Sequence, residues 1–379
     1  MNKKILIVCN YDFTFNKYII PTANKLLSEG FEVGVVCEGE NLDLERINYK
    51  NITFYNIKIP KKISISGFIS AILQVRKIIK RKNYYLVNSN NRNSSFIARI
   101  ALMTLSRKRH ISIYTARGMY FHDSQRFLQG IATYWVEVFL LFFTKIVLSQ
   151  SSEDVARLGR NPFVNSKKLK IIHNGIDESR FCMRNINILG SFKNKFLITT
   201  VGRIAKEKGL IDLLKAFSIF SADKKNAHLL LIGGTLHSHH DLVLNEFKKV
   251  LKDLGIEEKV TITGMVDNVE DFLALSNIYV HPSYREGMPR ALLEAMSLEK
   301  IVLASNIRGA REIIDDQCDG FLFNKGEISE MVELMNFVHA MNEKDKVKIS
   351  KNARKKVVDK YTESKYVERQ FFLINELCQ

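Results

Sequence analysis

The sequence predicts an α/β protein made of two Rossmann-like domains, each a parallel β-sheet covered by helices. Short apolar runs typical of buried strands alternate with helix-period segments along almost the whole chain, which is the pattern of parallel βαβ units. The length of 379 residues fits two domains of ordinary size. Apolar residues make up 46% and charged residues 26% of the chain, which excludes a disordered or fibrous protein.

The first series of elements occupies the amino-terminal half. The first ten residues contain too short an apolar run for a signal peptide and are expected to form a buried strand. The very apolar stretch 130–148 is interrupted by Glu137 and Lys145, whereas a membrane span requires about 20 uncharged residues. We therefore expect a buried helix followed by a strand there. Other strands are expected at 5–9, 31–37, 51–57, 84–88 and 111–115, with helices at 18–28 and 66–82.

The alternation weakens at 177–195, where we place the crossover between a domain of residues 1–180 and a domain of residues 181–379. The last 50 or so residues are expected to be helical. Parallel βαβ domains bind ligands at the carboxyl ends of their strands, so residues that follow strands are the site candidates. Strands of the second series are expected at 196–201, 227–232, 259–263, 278–281 and 301–304, with helices at 209–221, 241–254, 269–276 and 288–297.

The net charge of +17 is concentrated in the first half of the chain. Residues 1–180 carry 28 Lys and Arg against 13 Asp and Glu, and residues 46–122 carry 16 basic residues and no acidic one. Such an excess predicts an anionic partner: phospholipid head groups, a phosphorylated acceptor or nucleic acid. A merely solvated basic face is the alternative. We disfavour nucleic acid, because the segment shows neither interleaved aromatic residues nor a known reader motif.

The cysteines and histidines give little evidence for a disulfide framework or a metal site. The five cysteines form no C-x-x-C pair, which disfavours a disulfide framework or a zinc site and favours a reducing cytoplasm. His237, His239 and His240 have no Cys or acidic partner at helical spacing, and the chain has no Asp-x-Asp pair that would chelate a divalent ion. We therefore expect no metal and no cofactor.

The segment 281–296 is the richest in candidate chemistry. A predicted strand ends there, a turn at Glu286 and Gly287 follows, and Pro289 opens an Ala- and Leu-rich helix. Free backbone N–H groups at such a helix start suit a phosphate. Glu294 lies about 12 Å further along the helix axis, so the two carboxylates suit the two ends of a nucleotide sugar. The alternative is a capped amphipathic helix with a solvated glutamate.

A second strand end is followed by cations. Arg203 and Lys208 lie in the loop after the predicted strand 196–201, at the same edge of the same sheet as Glu286. A guanidinium and an ammonium group suit a diphosphate and stabilise the charge on a leaving group. Taken by themselves, Arg203 and Lys208 are better explained as plain surface charges, with Lys206 as a third. Likewise, the Asn-Gly pair at 174–175 is by itself an ordinary turn after a strand.

Together, these segments resemble the retaining family 4 glycosyltransferases of the GT-B fold, of the kind that builds bacterial surface polysaccharides. The resemblance is close over residues 170–322 and general elsewhere. It implies two Rossmann-like domains that face each other across a cleft. The motifs that carry it are, in chain order, Asn174-Gly175-Ile176-Asp177, Gly202-Arg203-x4-Lys208-Gly209 and Glu286-x7-Glu294, continued by Gly309, Glu312 and Asp319-Gly320.

The resemblance implies a nucleotide-sugar donor in the second domain, and we expect a UDP-sugar rather than a GDP-sugar. Arg203 and Lys208 would bind its diphosphate and stabilise the leaving nucleotide without a metal. Glu286 would hold sugar hydroxyls, and Glu294 would bind the ribose. The anomeric configuration would be retained by a front-face route that needs no protein nucleophile, because the donor phosphate helps to deprotonate the acceptor. The other implied donor-binding residues are Gly202, Met265, Val266, Gly287 and Met288.

The first domain would bind the acceptor, a growing glycan or a glycan linked to polyprenyl diphosphate. Asn10 follows the first strand, where many relatives have a Gly-rich loop. Arg117 lies where relatives usually have His, and His122 is close to it in the chain. These three are the acceptor-side candidates. The alternative function is a GT-B-fold nucleotide-sugar 2-epimerase, a class that would require additional acid and base residues.

The basic half predicts a place at a membrane surface. We expect a cytoplasmic enzyme that is peripheral on the inner face of the plasma membrane, with the basic helix 66–82 on anionic lipid. In this interpretation Phe68, Ile72 and Ile79 insert into the interface. The alternative is that these apolar residues pack on the sheet and only the basic side chains meet solvent.

Overall fold

A computed structural model describes residues 3–39, 41–47, 51–60, 64–106, 109–119, 127–183, 192–234 and 241–378. The chain divides into two compact units. Unit 1 comprises residues 1–173 and 364–379, and unit 2 comprises residues 174–363. The last residues therefore belong to unit 1, whereas the sequence analysis assigned them to the second domain and placed the boundary at 180.

Within the described residues, unit 1 has one parallel sheet of seven strands in the order β3-β2-β1-β4-β5-β6-β7. Ile5, Leu6 and Val8 of the central strand are all buried, because helices cover both faces of the sheet. This explains the continuous apolar run. The strands are β1 (Lys4–Tyr11), β2 (Glu32–Glu38), β3 (Ile52–Asn56), β4 (Leu86–Asn90), β5 (Ile111–Ala116), β6 (Ile146–Ser149) and β7 (Leu169–Ile171).

Helices form a layer on each face of this sheet. On one face, Phe15, Leu26 and Tyr366 belong to a single apolar core, so the helix at the chain end packs with the first two helices. The opposite face is covered by four successive crossover helices. The first layer consists of α1 (Asp12–Tyr18), α2 (Ile20–Ser28) and, from the end of the chain, α14 (Glu363–Asn375); the second consists of α3 (Ile65–Lys82), α4 (Arg92–Met103), α5 (Phe127–Leu141) and α6 (Ser152–Gly159).

Two expectations for this second layer are wrong. Ile79 of α3 is fully buried, and Phe68 and Ile72 pack against the same core, so these three residues do not form an outward apolar face. The stretch that contains α5 was expected to form a buried helix. Only one side of α5 packs on the sheet, however, and Trp135 and Phe139 are about half exposed. A helix in an outer layer buries one side, whatever the hydropathy of the other.

Unit 2 has a second parallel sheet, which in the described residues consists of six strands in the order β10-β9-β8-β11-β12-β13. The chain order reverses between β8 and β11, which pair directly, so the carboxyl ends of these two strands are neighbours. Ligands bind at such a reversal point in open α/β sheets. The strands are β8 (Phe196–Val201), β9 (Ala227–Ile232), β10 (Val260–Ile262), β11 (Ile278–His281), β12 (Ile301–Ser305) and β13 (Phe321–Phe323).

Helices also cover both faces of the second sheet. Leu213 and Phe217 belong to the core on one face, and Leu292 and Met296 belong to the core on the other. No helix within the described part of the chain is long and apolar enough to cross a membrane. The helices of unit 2 are α7 (Leu210–Phe220), α8 (Asp241–Asp253), α9 (Val269–Ala274), α10 (Arg290–Ser297), α11 (Arg308–Arg311), α12 (Ile328–Ala340) and α13 (Glu343–Lys360).

Candidate active site

The loops that follow β8 and β11 pack against each other in unit 2. The backbone N–H of Tyr284 donates to the carbonyl of Glu207 at 2.9 Å. Gly209 has a φ of +63°, and a Cβ on it would clash with the carbonyl oxygen of Pro282. Glycine is therefore required where the first loop enters α7. This close approach brings the two sets of predicted site residues together.

Lys208 and Glu286 form the centre of the site. The Lys208 ammonium donates to Oε1 of Glu286, and both side chains are about one-fifth exposed. The hydroxyl of Ser283 donates to the same oxygen at 3.2 Å. Nε2 of His281 lies 3.6 Å from it. A strand end, its loop and the neighbouring loop thus converge on one carboxylate oxygen.

This environment keeps Glu286 ionised. Burial by itself raises the pKa of the carboxyl, but the nearby imidazole of His281 and the charge and hydrogen bond of Lys208 outweigh burial and lower the pKa to about 2. An ionised carboxylate is an acceptor only, so it suits the hydroxyl groups of a sugar.

His281 is a site residue to which the sequence analysis gave no role. The Tyr279 hydroxyl lies 3.1 Å from its Nδ1, and the two buried rings stack. Burial raises the pKa of Tyr279 well above its usual value, so its hydroxyl stays protonated beside Nδ1 of His281. The other ring nitrogen, Nε2, is the one that faces Glu286. The position of His281 at the end of β11 was the only signal in the sequence.

Arg203 is not part of this cluster in the structure. Its side chain is 45% exposed, and its Nη2 lies 3.4 Å from Oε1 of Glu207 in the same loop. The structure therefore places the two predicted cations in one loop but in different environments: Lys208 faces Glu286, and Arg203 lies at the surface beside an acidic neighbour.

Glu294 lies on α10, which begins after Pro289 rather than at 288. The side chain of Glu294 is almost fully buried, and its Oε1 lies 3.9 Å from Nε of Arg290, one turn earlier. The interpretation of a solvated glutamate is therefore wrong. Glu294 is thus a buried carboxylate in the second turn of α10, close to one guanidinium group.

The turn before α10 is held from two sides. Asn174 donates its backbone N–H to Sδ of Met288 at 3.1 Å and its side-chain amide to the carbonyl of Met288 at 3.4 Å. A Cβ on Gly309 would clash with the carbonyl of Gly287. The turn at 174–175 is thus a brace for this site. Met288 is buried, and its sulfur and its carbonyl oxygen both accept hydrogen bonds from Asn174.

The remaining donor-side candidates follow β8, β9 and β10. The Gly202 N–H donates to the carbonyl of Ile232 at 3.0 Å, which ties the ends of β8 and β9 together. Gly264 has a φ of +72° and directs the chain into Met265, which is 63% exposed, and Val266, which is half-buried. The exposed thioether of Met265 offers an apolar surface at this edge of the sheet.

The acceptor-side candidates lie in unit 1 and make internal contacts. Nη2 of Arg117 lies 3.3 Å from the Tyr18 carbonyl, the Asn90 side chain and the Tyr366 hydroxyl, and the guanidinium lies over the Tyr18 ring. Asn10 accepts from the backbone N–H of Ser94 at 3.1 Å, near the start of α4. His122 lies outside the described residues.

Among the residues that the structure describes, no three His, Cys, Asp or Glu side chains are grouped so that they could hold a metal ion. The histidines at 237, 239 and 240 lie outside the described residues.

Two parallel-sheet units, with cations and carboxylates at the strand ends of one of them, define the class: a GT-B glycosyltransferase. Residues 16–180 match the family model Glycosyltransferase Family 4, and residues 184–356 match Glycosyl transferases group 1. The protein belongs to these glycosyltransferases.

Named relatives and solved structures agree with this assignment. The chain is 24% identical over 352 residues to the UDP-Gal:alpha-D-GlcNAc-diphosphoundecaprenol alpha-1,3-galactosyltransferase of Escherichia coli, covering 91% of this chain and 89% of that one. It is 24% identical over 325 residues to the capsular polysaccharide biosynthesis glycosyltransferase CapM of Staphylococcus aureus, covering 83% and 82%. The structure of Anabaena HepE in complex with UDP and glucose matches with a TM-score of 0.83 and 19% identity, over 98% of this chain and 99% of that one.

Proposed function

We propose that this glycosyltransferase moves a sugar from a UDP-sugar to a lipid-linked or growing glycan in the synthesis of a bacterial surface polysaccharide, with retention of configuration and without a metal ion. The observation that carries the proposal is the Lys208–Glu286 pair at the paired ends of β8 and β11. The name of the Escherichia coli relative, which specifies UDP-Gal and a diphosphoundecaprenol acceptor, supports this choice of donor and acceptor.

Lys208 and Arg203 are the proposed binding groups for the donor diphosphate. The ammonium of Lys208 is held in the site by Glu286, and the half-exposed guanidinium of Arg203 can turn from Glu207 towards a ligand. A preorganised cation stabilises the negative charge that develops on the leaving diphosphate without reorganisation during the reaction.

The two glutamates have different proposed roles. Glu286, ionised and held by Ser283 and His281, accepts hydrogen bonds from hydroxyls of the transferred sugar. Glu294, buried one turn after Arg290, binds the ribose. The backbone of the turn at 287–288 and the exposed surface of Met265 and Val266 complete the donor site, with the base next to Met265.

The proposed chemistry balances without a protein nucleophile. The bond between the anomeric carbon and the diphosphate oxygen breaks, and its electron pair leaves with the nucleotide. The acceptor hydroxyl oxygen bonds to the anomeric carbon from the same face, and its proton passes to the departing phosphate oxygen. The protein supplies position and positive charge.

The proposal is tested with a panel of UDP- and GDP-sugars, with and without a diphosphate-linked lipid acceptor. We expect nucleotide release from a UDP-sugar only when the acceptor is present, with an α-linked product from an α-linked donor. Conversion of the sugar without acceptor identifies an epimerase instead. EDTA should leave the rate nearly unchanged, and loss of activity restored by Mg²⁺ or Mn²⁺ contradicts the metal-free proposal.

The roles of the glutamates are tested by titration with free UDP. Glu294→Ala should weaken UDP binding, because ribose contacts are present in both the ground state and the transition state. Glu286→Ala should leave UDP affinity nearly unchanged and lower kcat, since its partner is the sugar. The opposite result reverses the two assignments.

A further inference from the structure

The outer side of α5 carries apolar residues that are exposed within the part of the chain that the structure describes. Ile131, Trp135 and Phe139 are spaced four residues apart and so lie on one side of the helix; they are 42%, 49% and 50% exposed. Phe142 and Phe163 are still more exposed, and the Phe163 ring lies 6.3 Å from the Trp135 ring. These five residues are called the aromatic row. An exposed apolar patch of this kind on a soluble domain marks an interaction site.

The neighbouring helix α3 extends this surface. Its residues Ile65, Ile69 and Leu73 repeat the same four-residue spacing and are all more than half exposed. Helix α4 packs against both α3 and α5, so the three helices lie side by side on one face of the sheet. Because each buries its inner side, the exposed stripes of α3 and α5 both point away from the sheet.

Positive charge lies at the carboxyl ends of these two helices. The last turn of α3 carries Lys80, Arg81 and Lys82, all exposed, and Lys145 is exposed just after α5. The sequence from 64 to 145 contains only two acidic residues, Asp123 and Glu137.

The acidic residue of α5 is neutralised within the fold. Glu137 is held by the buried guanidinium of Arg99 in a bidentate pair, at 2.6 and 3.0 Å. Its negative charge is therefore balanced before it can oppose an anionic partner. Apolar rows that include Trp and Phe, next to unopposed Lys and Arg, match the interface of an anionic bilayer.

We propose that the outer helical face of unit 1, with the aromatic row inserted and the basic end of α3 beside it, docks on an anionic lipid bilayer. A second copy of the chain is disfavoured as the occupant, because unit 1 carries 29 Lys and Arg against 13 Asp and Glu and two such faces repel. This inference deepens the proposed function, because a lipid-linked acceptor lies at a bilayer. It rests on the proposed function only in taking the acceptor to be lipid-linked.

Trp135 is the single tryptophan of the chain, so its fluorescence reports on this face alone. Vesicles of phosphatidylglycerol and phosphatidylcholine should shift its emission to shorter wavelength, and brominated acyl chains should quench it. Pure phosphatidylcholine vesicles should do neither at the same lipid concentration. No shift and no quenching with anionic vesicles overturns the proposal.

Matched variants distinguish insertion of the aromatic row from non-specific adsorption of the protein to vesicles. The double variant Phe139→Ser/Phe142→Ser should lower the vesicle partition coefficient at least about tenfold, since it removes two inserted rings. Phe372→Ser is the control, because this residue is 62% exposed on α14, on the opposite face of the sheet. An equal loss with the control variant contradicts docking through the aromatic row.

Charge is tested separately. Replacing Lys80, Arg81 and Lys82 with Gln should weaken binding about fivefold per charge removed, and added salt should weaken binding of the unmodified protein. Sedimentation tests whether the protein associates with itself through the same face. If the unmodified protein forms dimers and the Phe139→Ser/Phe142→Ser variant does not, the assignment of this face to lipid is overturned.

Free UDP distinguishes this inference from the proposed function. The variants at 139 and 142 should bind UDP as the unmodified protein does, because they lie in unit 1, far along the chain from the donor-site residues. If the protein binds vesicles but not UDP, the docking face is supported and the proposed donor is contradicted. If it binds UDP but not vesicles, the donor is supported and the docking face is contradicted.

Discussion

Glu286 shows how a single carboxylate is held in place by its neighbours. Three polar groups, from Lys208, Ser283 and His281, reach one of its oxygens. Since a charge-assisted hydrogen bond is stronger than a neutral one, the cluster holds the side chain in one position before a ligand arrives.

The depressed pKa of Glu286 makes a prediction about acid stability. A folded-state pKa of about 2, against an ordinary 4.5, stabilises the folded protein above pH 4.5, and this contribution disappears as the pH falls towards 2. Between pH 5 and pH 3 the loss amounts to about 2 kcal/mol. Denaturant unfolding at these two pH values should show a smaller drop in the free energy of unfolding for Glu286→Gln than for the unmodified protein.

Glu207→Gln is the control for this measurement. This side chain is 40% exposed and pairs with Arg203 at the surface, where ion pairs contribute little to stability. Its pH dependence should match that of the unmodified protein. If Glu286→Gln and Glu207→Gln show the same pH dependence of the free energy of unfolding, the contacts of Glu286 do not lower its pKa as described.

Lys208 is the residue on which the proposed leaving-group stabilisation depends. Lys208→Ala should lower kcat by about 10²–10³, the usual cost of losing a preorganised charge-stabilising group. Lys206→Ala is the matched control, because its ammonium is in the same loop but is 75% exposed and lies 3.8 Å from Glu246. Steady-state rates of nucleotide release measure both, with circular dichroism to verify folding. Equal loss in the two variants contradicts the assignment.

At the scale of elements, the joint between α7 and the loop after β11 positions the site. Gly209→Ala places a methyl group against the Pro282 carbonyl and also strains a positive φ. We expect a loss of more than about 3 kcal/mol in stability, together with weaker UDP binding, because the loop that carries Lys208 must shift.

Gly255→Ala isolates the strain from the clash. Gly255 has nearly the same φ, +62°, and nothing lies within 4 Å of where its Cβ would be. Its substitution should cost about 1 kcal/mol and leave UDP affinity unchanged. Thermal unfolding and UDP titration of the pair measure the difference. Similar costs at 209 and 255 show that the approach to Pro282 is unimportant.

Elements with a strong apolar pattern were predicted well, and α4 and α6 were not. Helix α4 buries the polar residues Ser94, Ser95 and Arg99 along with its apolar ones, because it lies between two other helices. Its periodicity is therefore weak in the sequence. The helix expected at 18–28 is α2, whereas α1, which begins at Asp12 and precedes it, was not predicted.

For the whole molecule, the return of the chain into unit 1 is the main consequence of the tertiary structure. Tyr366 and Ile374 of α14 are buried in the core of unit 1, and Gln370 accepts a hydrogen bond from Thr22 at 2.6 Å. The hydroxyl of Tyr366 also meets Arg117. Helix α14 therefore contributes to a fold whose other elements end at residue 173.

Tyr366→Ala should lower the stability of unit 1 by about 3–5 kcal/mol, because it leaves a large buried cavity. Hydrogen exchange should accelerate in β1 and β5 and remain unchanged in β8 and β11. Phe372→Ala, on the exposed side of the same helix, should change stability by no more than about 0.5 kcal/mol. Faster exchange in unit 2 instead contradicts the assignment of residues 364–379 to unit 1.

The sequence by itself determined the fold class and the candidate residues of the donor site. Continuous apolar strands require helices on both faces, and motif residues at strand ends meet because parallel strands end at one edge. Only the tertiary structure decided which groups touch. In the structure, Lys208 contacts Glu286, His281 lies beside them, and Arg117 makes contacts inside unit 1. Helix α14 packs in unit 1, and one side of α5 is exposed. The local sequence pattern reflects only the hydropathy and spacing of neighbouring residues. Contacts between residues that are far apart in the chain depend on how the helices and strands pack against one another.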